Sequence, residues 1–533
     1  MRMKLKRLKL KRLMTKDSQL KCLRRKERCY KKLQPVSKYS FFFLLLITIA
    51  IFFSACSAAK YASYSPQNKI ASAKLKTDFV VLKKVLEANH PSLYWYTSKD
   101  SVDIYFNEAL QSITDSLTEF QFRKKVAWFI EKIRCGHTSV RPSEAYLRYF
   151  SKHESNKFPL LLKAWSDTLV VLGNLQENDS TFKRGVVINS IEGRSNRETL
   201  DSMFQFISTD GYADNLKNQV ISFNFPLYYS FAFPVKDSFL VSYTDSTGIQ
   251  QTKYIKLYKP SVDTSKPLEL QGFREPTHKE RKEIELLNKR NINYDTINHT
   301  AYMRVATFDG GKLRRFFKQS FTEIKNKNIT NLIIDLRENT GGNINLSNNL
   351  TRYIKDTPFH VADTAAAINR SLSYGKYIHP AMFYRLAMRF TTQKENDGRF
   401  HFRKIDKRKF KPYHDLHFNG NVYIVQGGYT FSAAAMFVLG VKGQHNVTIT
   451  GEESGGGSYG TTAVHLPSIV LPHSKIRVTL PLYRVVPNSA ETRTGHGIQP
   501  DIYIPPSSVA IRNGIDPKLQ KIKELIQVNA KKK

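Results

Sequence analysis

Hydrophobic positions in the first part of the chain recur with the period of a helix. Val126, Phe129 and Ile133 lie on one face of such a helix, and polar residues separate them. Thr118 precedes this run and is followed three residues later by a glutamine, which is the spacing of a capping box. We therefore predict an N-terminal helical domain over residues 74–142.

The pattern changes between residues 155 and 260 to short apolar runs that are typical of strands. Residues 240–243 form one such run, and the turn sequence Asp-Ser-Thr-Gly that follows favours a hairpin. A helix is predicted from Asn196 to Phe206. The stretch 185–193, with its glycine ends and its Ile-Asn-Ser-Ile centre, resembles a PDZ domain of the kind found in processing proteases. A PDZ-like β domain is predicted over 155–260.

Strands and helices alternate from residue 292 to residue 515. Residues 301–305 and 331–336 are predicted to be strands, and residues 313–324 a helix between them. This alternation indicates an α/β domain. An insertion at 355–418 carries 13 Lys/Arg against six Asp/Glu, and could be a lid, a surface arm or a partly disordered segment. In the tail, 516–533, an amphipathic helix is predicted from Lys518 to Val528.

The N-terminal 56 residues read as an export signal. Residues 1–38 carry 16 Lys/Arg and two acids, and residues 39–59 are 21 residues without a charge. The end of the apolar stretch, Phe-Ser-Ala-Cys56, resembles a bacterial lipobox, which implies cleavage before Cys56, lipidation of its thiol and a tether over 57–73. The alternative is an uncleaved membrane anchor. Both place the body on the envelope, facing the periplasm or the exterior.

The charge distribution and the cysteine content argue against several functional classes. Of the net charge of +38, the first 38 residues contribute 16 − 2 = +14, so +24 remains on the other 495 residues. The basic residues are dispersed and no nucleic-acid-binding module is recognisable, so we expect attraction to an anionic envelope surface or acidic ligands. The four cysteines have neither metal-ligand spacing nor the pattern of a disulfide framework. We expect no metal and no cofactor.

The most informative local pattern surrounds Ser432. A short apolar strand ends at Gly427 and Gly428, and Ser432 then opens a helix that begins with three alanines. A hydroxyl at a helix N-terminus lies beside free N–H groups and the positive end of the helix dipole, which stabilise a developing oxyanion. Ser432 is therefore the candidate nucleophile, and the N–H of Ala433 is a candidate oxyanion donor.

A second glycine turn follows the predicted strand 331–336. It reads Asp-Leu-Arg-Glu-Asn-Thr-Gly-Gly and ends at Gly341 and Gly342. Glycines let the backbone N–H groups approach a ligand closely. We expect Gly341 or Gly342 to supply the second donor of an oxyanion hole, although such a turn also occurs with no chemical role.

The order of these motifs resembles one peptidase family. The glycine turn, the strand with Ser-Ala, the stretch Gly-Glu-Glu-Ser-Gly-Gly at 451–456 and the stretch Gly-Ile-Gln-Pro-Asp at 497–501 occur as in the tail-specific proteases, or C-terminal processing peptidases. The resemblance covers about residues 75–510. It implies a serine peptidase with a crotonase-like α/β spiral core over 292–515.

One departure from the family concerns the general base. Many members place a lysine 25 residues after the serine, but here that position is Gly457, and no lysine occurs from 443 to 474. Either another base is used or the enzyme is inactive. His137 stands where the tricorn-like branch of the family has its catalytic histidine. The resemblance implies Glu491 as the acid that orients it.

The linking serine of the tricorn-like branch is also missing. The residue immediately before His137 is Gly136, so the link between the histidine and the acid must differ. Thr138 could replace the serine, or Glu491 could act through water or have no role.

These patterns predict a serine-type endopeptidase without a metal or cofactor. Its substrate would be a peptide or an unfolded protein, cleaved through an acyl-enzyme, with the PDZ-like domain binding the substrate C-terminus. Two alternatives stay open. One is an inactive, ligand-binding envelope lipoprotein, as in the retinoid carriers that resemble the same module. The other is an envelope scaffold that recruits partners through residues 158–260.

Overall fold

The computed structural model describes residues 64–531 with several gaps, at residues 154, 177, 246, 261–273, 275, 361 and 488–493. The predicted export signal, Cys56 and most of the tether lie outside the described residues, and so does Glu491. Among the helices that the structure does describe, none is long and apolar enough to cross a membrane.

The N-terminal region is helical, as the apolar period predicts. The Thr118 hydroxyl accepts the N–H of Gln121, and the Gln121 side chain accepts the N–H of Thr118, which closes the capping box. The elements are α1 Ser72–Asn89, α2 Lys99–Gln111, α3 Glu119–Lys132, α4 Glu144–Phe150 and the short strands β1 Lys69–Ile70, β2 Leu117–Thr118 and β3 Val140–Arg141.

The region predicted to be PDZ-like is an antiparallel sheet with three helices. The sheet order is β4-β5-β6-β8-β9, and β7 pairs with β6. Its buried side chains, which run from Phe158 to Leu257, form a core of their own. The elements are β4 Leu160–Trp165, β5 Thr168–Asn174, β6 Val187–Ile191, β7 Arg194–Ser195, α5 Asn196–Phe204, α6 Asn215–Phe223, α7 Phe225–Ala232, β8 Ser238–Thr244 and β9 Gln250–Lys256.

A six-stranded sheet forms the centre of the C-terminal half. Its order is β10-β11-β12-β19-β20-β25; β10 is antiparallel and the other strands are parallel. β12 is buried along its whole length and β19 along all but its first residue, and the centres of both strands are apolar, as is typical of a parallel sheet that is covered on both faces. The elements are α8 His278–Lys289, β10 Arg290–Asp295, β11 Thr300–Val305, α9 Leu313–Asn326, β12 Asn331–Asp335, α10 Ile344–Ile354, β19 Asn421–Gln426, α13 Ala433–Val441, β20 Val447–Gly451 and β25 Ile502–Tyr503. The predicted α/β class is confirmed.

The basic insertion contributes to two further sheets. One has the order β16-β17-β14-β24-β21, the other β15-β22-β23-β3, and β13 pairs with β18. The elements are β13 Phe359–His360, β14 Ala362–Ala367, the 3₁₀ helix Gly375–Tyr377, β15 Ile378–His379, α11 Ala381–Thr391, β16 Gln393–Lys394, β17 Phe400–His401, α12 Arg403–Asp406, β18 Lys409–Phe410, β21 Thr461–Ala463, β22 Ser468–Val470, β23 Arg477–Thr479 and β24 Tyr483–Pro487.

The N-terminal helices do not pack as a separate unit. Their buried residues, such as Phe79 and Phe129, belong to one core together with residues of the insertion and of β22 to β24, such as Ile378 and Val478. Distant parts of the chain therefore fold around a common core, and this core holds the segment that follows α3 against the central sheet.

The chain ends with α14 Ser508–Asn513 and α15 Pro517–Lys531. Lys518 of α15 donates to the buried Glu452 carboxylate over 2.5 Å, immediately after β20. This ion pair ties the last helix to the carboxyl end of the central sheet.

Candidate active site

Ser432 lies in a strained turn between β19 and α13. Its backbone has φ 53° and ψ −122°, a sparsely populated conformation that costs about 1–3 kcal/mol and persists only where the surroundings enforce it. The surroundings are two hydrogen bonds to the turn after β12. The Thr430 hydroxyl donates to Leu336 O over 2.9 Å, and the Phe431 N–H donates to Asn339 O over 3.1 Å.

The two glycine-rich turns meet at Ser432. A Cβ atom on Gly341 would lie 2.7 Å from the Ser432 Cβ and 3.0 Å from the Ala433 nitrogen, and Gly341 has φ +100°. Only glycine permits this approach. A Cβ on Gly342 would be 2.6 Å from the Phe308 backbone.

The candidate oxyanion donors differ in whether their N–H groups already donate a hydrogen bond. The Gly341 N–H donates to the Asn339 side chain over 2.9 Å. The Ala433 N–H belongs to the first turn of α13, where helical N–H groups have no partner within the helix. Gly341 and Ala433 thus lie beside Ser432, whereas Gly342 lies against the Phe308 backbone. Gly341 would have to exchange its acceptor to bind an oxyanion.

His137 approaches Ser432 from the segment after α3. Its Nε2 lies 3.1 Å from the Ser432 Oγ, across 295 residues of sequence. The imidazole packs on the Phe431 ring at a centroid distance of 4.6 Å. Gly136 makes this contact possible, because a Cβ there would lie 2.8 Å from the Phe431 ring. The structure therefore brings the predicted nucleophile and the predicted base within hydrogen-bond distance.

The second nitrogen of His137 leads to a buried carboxylate that the sequence analysis did not identify. Its Nδ1 lies 3.2 Å from the Thr461 hydroxyl, and this hydroxyl donates to Asp210 Oδ2 over 3.0 Å. The other carboxylate oxygen of Asp210 accepts the N–H of Gly136 over 2.8 Å. Asp210 is only 2% exposed. Ser432, His137, Thr461 and Asp210 thus form one continuous chain of hydrogen bonds.

This chain of hydrogen bonds assigns the tautomer of His137. The single proton of the Thr461 hydroxyl points to the Asp210 carboxylate, so the oxygen presents a lone pair to Nδ1. Nδ1 must then carry the ring proton, which leaves Nε2 free to accept the proton of Ser432. This is the tautomer that a general base for the serine requires.

Burial determines the protonation states of the two titratable groups. It lowers the pKa of His137 to about 4, so the imidazole is neutral at pH 7. Burial also raises the pKa of Asp210 to about 6, even though hydrogen bonds from Gly136 and Thr461 favour the charged form. At pH 7 most Asp210 carboxylates are therefore ionised.

The other sequence-derived candidates are placed as follows. Thr138, considered as the link to an acid, instead has its hydroxyl 2.9 Å from Nε2 of the buried His90. Glu491 lies in the gap 488–493. Gly457, at the position of the family lysine, lies beside Asp210: a Cβ there would be 3.5 Å from the Asp210 Cβ.

A metal ion would need a cluster of side chains that could bind it. The described part of the chain has no group of three or more His, Cys, Asp or Glu side chains that could hold a metal ion.

Comparisons with known proteins bear on the family and the fold of the chain. Residues 299–504 match the model of Peptidase family S41. The structure of mature CPAF complexed with lactacystin is 12% identical, with a TM-score of 0.59, and the match covers 86% of this chain and 98% of that chain. Mature CPAF in a second crystal structure is 14% identical, with a TM-score of 0.58 and coverage of 86% and 97%.

A search of curated proteins found no match. At these identities the CPAF structures show a common fold, and the family match covers the region that contains Ser432. Residues 299–504 of the chain thus match the model of Peptidase family S41, and this match supports the tail-specific protease family that the order of the sequence motifs indicates.

Proposed function

We propose that this protein is a serine-type endopeptidase with Ser432 as its nucleophile and His137 as its general base. The observation that carries the proposal is the 3.1 Å contact between His137 Nε2 and Ser432 Oγ, with the opposite ring nitrogen held by Thr461. Two such groups from distant parts of the chain, in the correct tautomer, have the arrangement of an activated nucleophile.

The proposed mechanism begins when His137 takes the Ser432 proton as the hydroxyl oxygen attacks a peptide carbonyl. The resulting oxyanion would be bound by the N–H of Ala433 and that of Gly341 or Gly342. The imidazolium gives its proton to the leaving amine, and water then hydrolyses the acyl-enzyme with the imidazole again as base. The loss of one oxyanion donor is expected to slow the reaction by about 10²–10³.

We assign the acid of this site to Asp210, acting through Thr461. Asp210 is buried, ionised at neutral pH and connected to His137 by a single hydroxyl. It would hold the imidazole in its productive tautomer and stabilise the imidazolium as it forms. The resemblance to the tricorn-like branch led to Glu491 instead, and a comparison of Asp210→Asn with Glu491→Gln distinguishes the two.

The substrate is proposed to be a peptide or an unfolded protein, bound as an added strand at the PDZ-like sheet. Of the two edge strands, β4 is covered by α6, where the Ser222 hydroxyl accepts the N–H of Ala164. The other edge, β9 Gln250–Lys256, exposes six of its seven residues. An extended substrate would therefore pair with β9.

We also propose that the protein is attached to the bacterial cell envelope, facing the periplasm or the exterior, through a lipidated Cys56 or through an uncleaved apolar segment. The basic leader and the uncharged run 39–59 support this location. Incorporation of radiolabelled palmitate into the wild type but not into Cys56→Ala would distinguish lipidation from a membrane-spanning anchor.

Labelling with a fluorophosphonate probe tests the peptidase directly and requires no known substrate. We expect label on Ser432 of the wild type and none on Ser432→Ala or His137→Ala. His414→Ala is the matched control, because the His414 side chain is fully exposed. Since one similar structure contains lactacystin, protection of Ser432 by that compound is a second readout.

Two other results would count against this function. An unlabelled wild type would favour the inactive, ligand-binding alternative. Labelling of His137→Ala at the wild-type rate would refute the general base.

A further inference from the structure

Helix α11, Ala381–Thr391 in the basic insertion, has an apolar face with no protein partner among the described residues. Its inner side packs on the common core through Tyr384 and the fully buried Met388. Its outer side presents four large apolar side chains that are more than half exposed. They are Met382 at 83%, Phe383 at 63%, Leu386 at 56% and Phe390 at 79%.

The position and composition of this outer stripe distinguish it from scattered surface residues. The four side chains lie on three successive turns of one helix, and two of them are aromatic. The inner side of the helix packs against the core that it shares with the N-terminal helices, and the outer stripe faces away from that core.

The charge around the helix favours a negatively charged partner. From residue 364 to residue 394 the chain has five Lys/Arg and no Asp/Glu. Two of these, Arg385 and Arg389, are exposed on the helix itself. Arg385 also donates to Leu372 O over 2.9 Å, which fixes the helix to the preceding loop. An apolar stripe with aromatic residues and a cationic flank is typical of helices that lie in the surface of an anionic bilayer.

The length of the chain between the proposed anchor and the folded body is compatible with contact between α11 and a bilayer. Ten peptide bonds separate Cys56 from Pro66, a span of at most about 35 Å. The 18-residue helix α1 begins six residues after Pro66 and is about 27 Å long. At its far end, Asn89 donates to Ser373 O over 3.0 Å, in the loop that leads to α11. The stripe is thus within reach of the surface to which the tether would attach.

We propose that α11 lies in the surface of the membrane, with Met382, Phe383, Leu386 and Phe390 among the lipid acyl chains and the basic residues against anionic headgroups. The protein would then have a second contact with the bilayer, which fixes how the active-site cleft faces it. This proposal rests on the proposed envelope attachment and is independent of the peptidase assignment.

Tryptophan quenching in vesicles tests the proposal. The full chain is reconstituted into vesicles of phosphatidylglycerol and brominated phosphatidylcholine, with Phe390→Trp as the reporter. Ile297→Trp is the matched control, because Ile297 is 89% exposed and lies in the β10–β11 turn. The three native tryptophans are corrected for by the wild type. Bromine should quench the tryptophan at 390 severalfold more than that at 297.

A second variant tests the stripe without a reporter. In Phe383→Ser combined with Phe390→Ser, release of the body from the bilayer by limited proteolysis of the tether should become complete at low salt, whereas the wild-type body stays bound. Replacement of phosphatidylglycerol by phosphatidylcholine should weaken the wild-type contact, since the electrostatic part is lost.

Three outcomes would overturn the proposal. The first is equal quenching at 390 and 297. The second is protection of 390 from both bromine and aqueous acrylamide together with self-crosslinking, which would assign the stripe to a second copy of the chain. The third is failure of the wild type to float with vesicles, which would also refute the envelope attachment. Fluorophosphonate labelling of Ser432 would still report separately on the peptidase.

Discussion

Replacement of Thr461 by valine isolates the connection between His137 and Asp210. The two side chains have nearly the same shape, so the change removes the hydroxyl with little effect on packing volume. His137 Nδ1 then loses its acceptor, and the buried Asp210 carboxylate loses one of its donors. The rest of the site, including the contact between His137 and Ser432, would stay in place.

The size of the expected effect follows from the imidazolium charge of His137, which the Thr461 hydroxyl stabilises. A hydrogen bond to a charged group contributes about 1.5–3 kcal/mol, and each 1.36 kcal/mol corresponds to about a tenfold change in rate. The imidazolium develops only as the serine is deprotonated, so the loss falls on the transition state. We expect Thr461→Val to lower the second-order rate of fluorophosphonate labelling by about 10- to 150-fold at pH 7.

Thr461→Ser is the control, because it keeps the hydroxyl and deletes only a methyl group. It should label close to the wild-type rate, and melting curves of both variants would separate a catalytic effect from unfolding. The reasoning would be refuted if folded Thr461→Val labelled as fast as the wild type. It would also be refuted if the serine variant were as slow as the valine variant, since the hydroxyl would then be irrelevant.

Three further predictions follow from the described contacts. Because burial raises the pKa of Asp210 to about 6, the wild-type labelling rate should fall as the pH drops through about 6. Asp210→Asn should label more slowly at pH 7 and keep only the fall near pH 4, where His137 becomes protonated. Gly341→Ala, which places a Cβ 2.7 Å from that of Ser432, should lower labelling by about 10²–10³. Lys518→Met, which leaves a buried carboxylate unpaired, should destabilise the fold by about 3–5 kcal/mol in denaturant titrations.

Each of these three predictions has a matched control or a contradicting result. An unchanged pH profile in Asp210→Asn would exclude Asp210 from the titration. Gly248 has φ +87° with no atom within 4 Å of a built Cβ, so Gly248→Ala reproduces the backbone strain without the clash and should leave labelling intact. Lys521 pairs with Glu524 at the surface, and Lys521→Met should cost less than about 1 kcal/mol. Equal losses for Lys518→Met and Lys521→Met would contradict the buried-pair argument.

Local sequence patterns were sufficient for the elements that have a clear apolar pattern of their own. The helix predicted at 313–324 is Leu313–Asn326, and the strand predicted at 331–336 is Asn331–Asp335. These segments are defined by their own apolar pattern and by the glycine pairs nearby, at 310–311 before the helix and at 341–342 after the strand. The common core of the N-terminal helices and the insertion could not be predicted in this way, because it depends on contacts between segments more than 200 residues apart.

The same distinction applies to the residues of the candidate site. Ser432 and the glycine turns are marked by motifs, and His137 by its position relative to a family. Asp210 has no such mark, because its place depends on a loop that docks by backbone contacts. The Gly211 N–H donates to Arg134 O, and the Tyr212 N–H donates to Gly495 O. Only the folded chain brings this loop to the threonine at the start of β21.

The core shared between the first helices and the last third of the chain has a consequence for biosynthesis. Because the chain is synthesised from its N-terminus, His137 is made long before Ser432. The segment that carries His137 cannot be positioned until the strands that follow Ser432 complete the hydrophobic packing around residues such as Val478 and Val485. The contact between the two groups would thus form only late in synthesis, and a nascent or truncated protein would lack it.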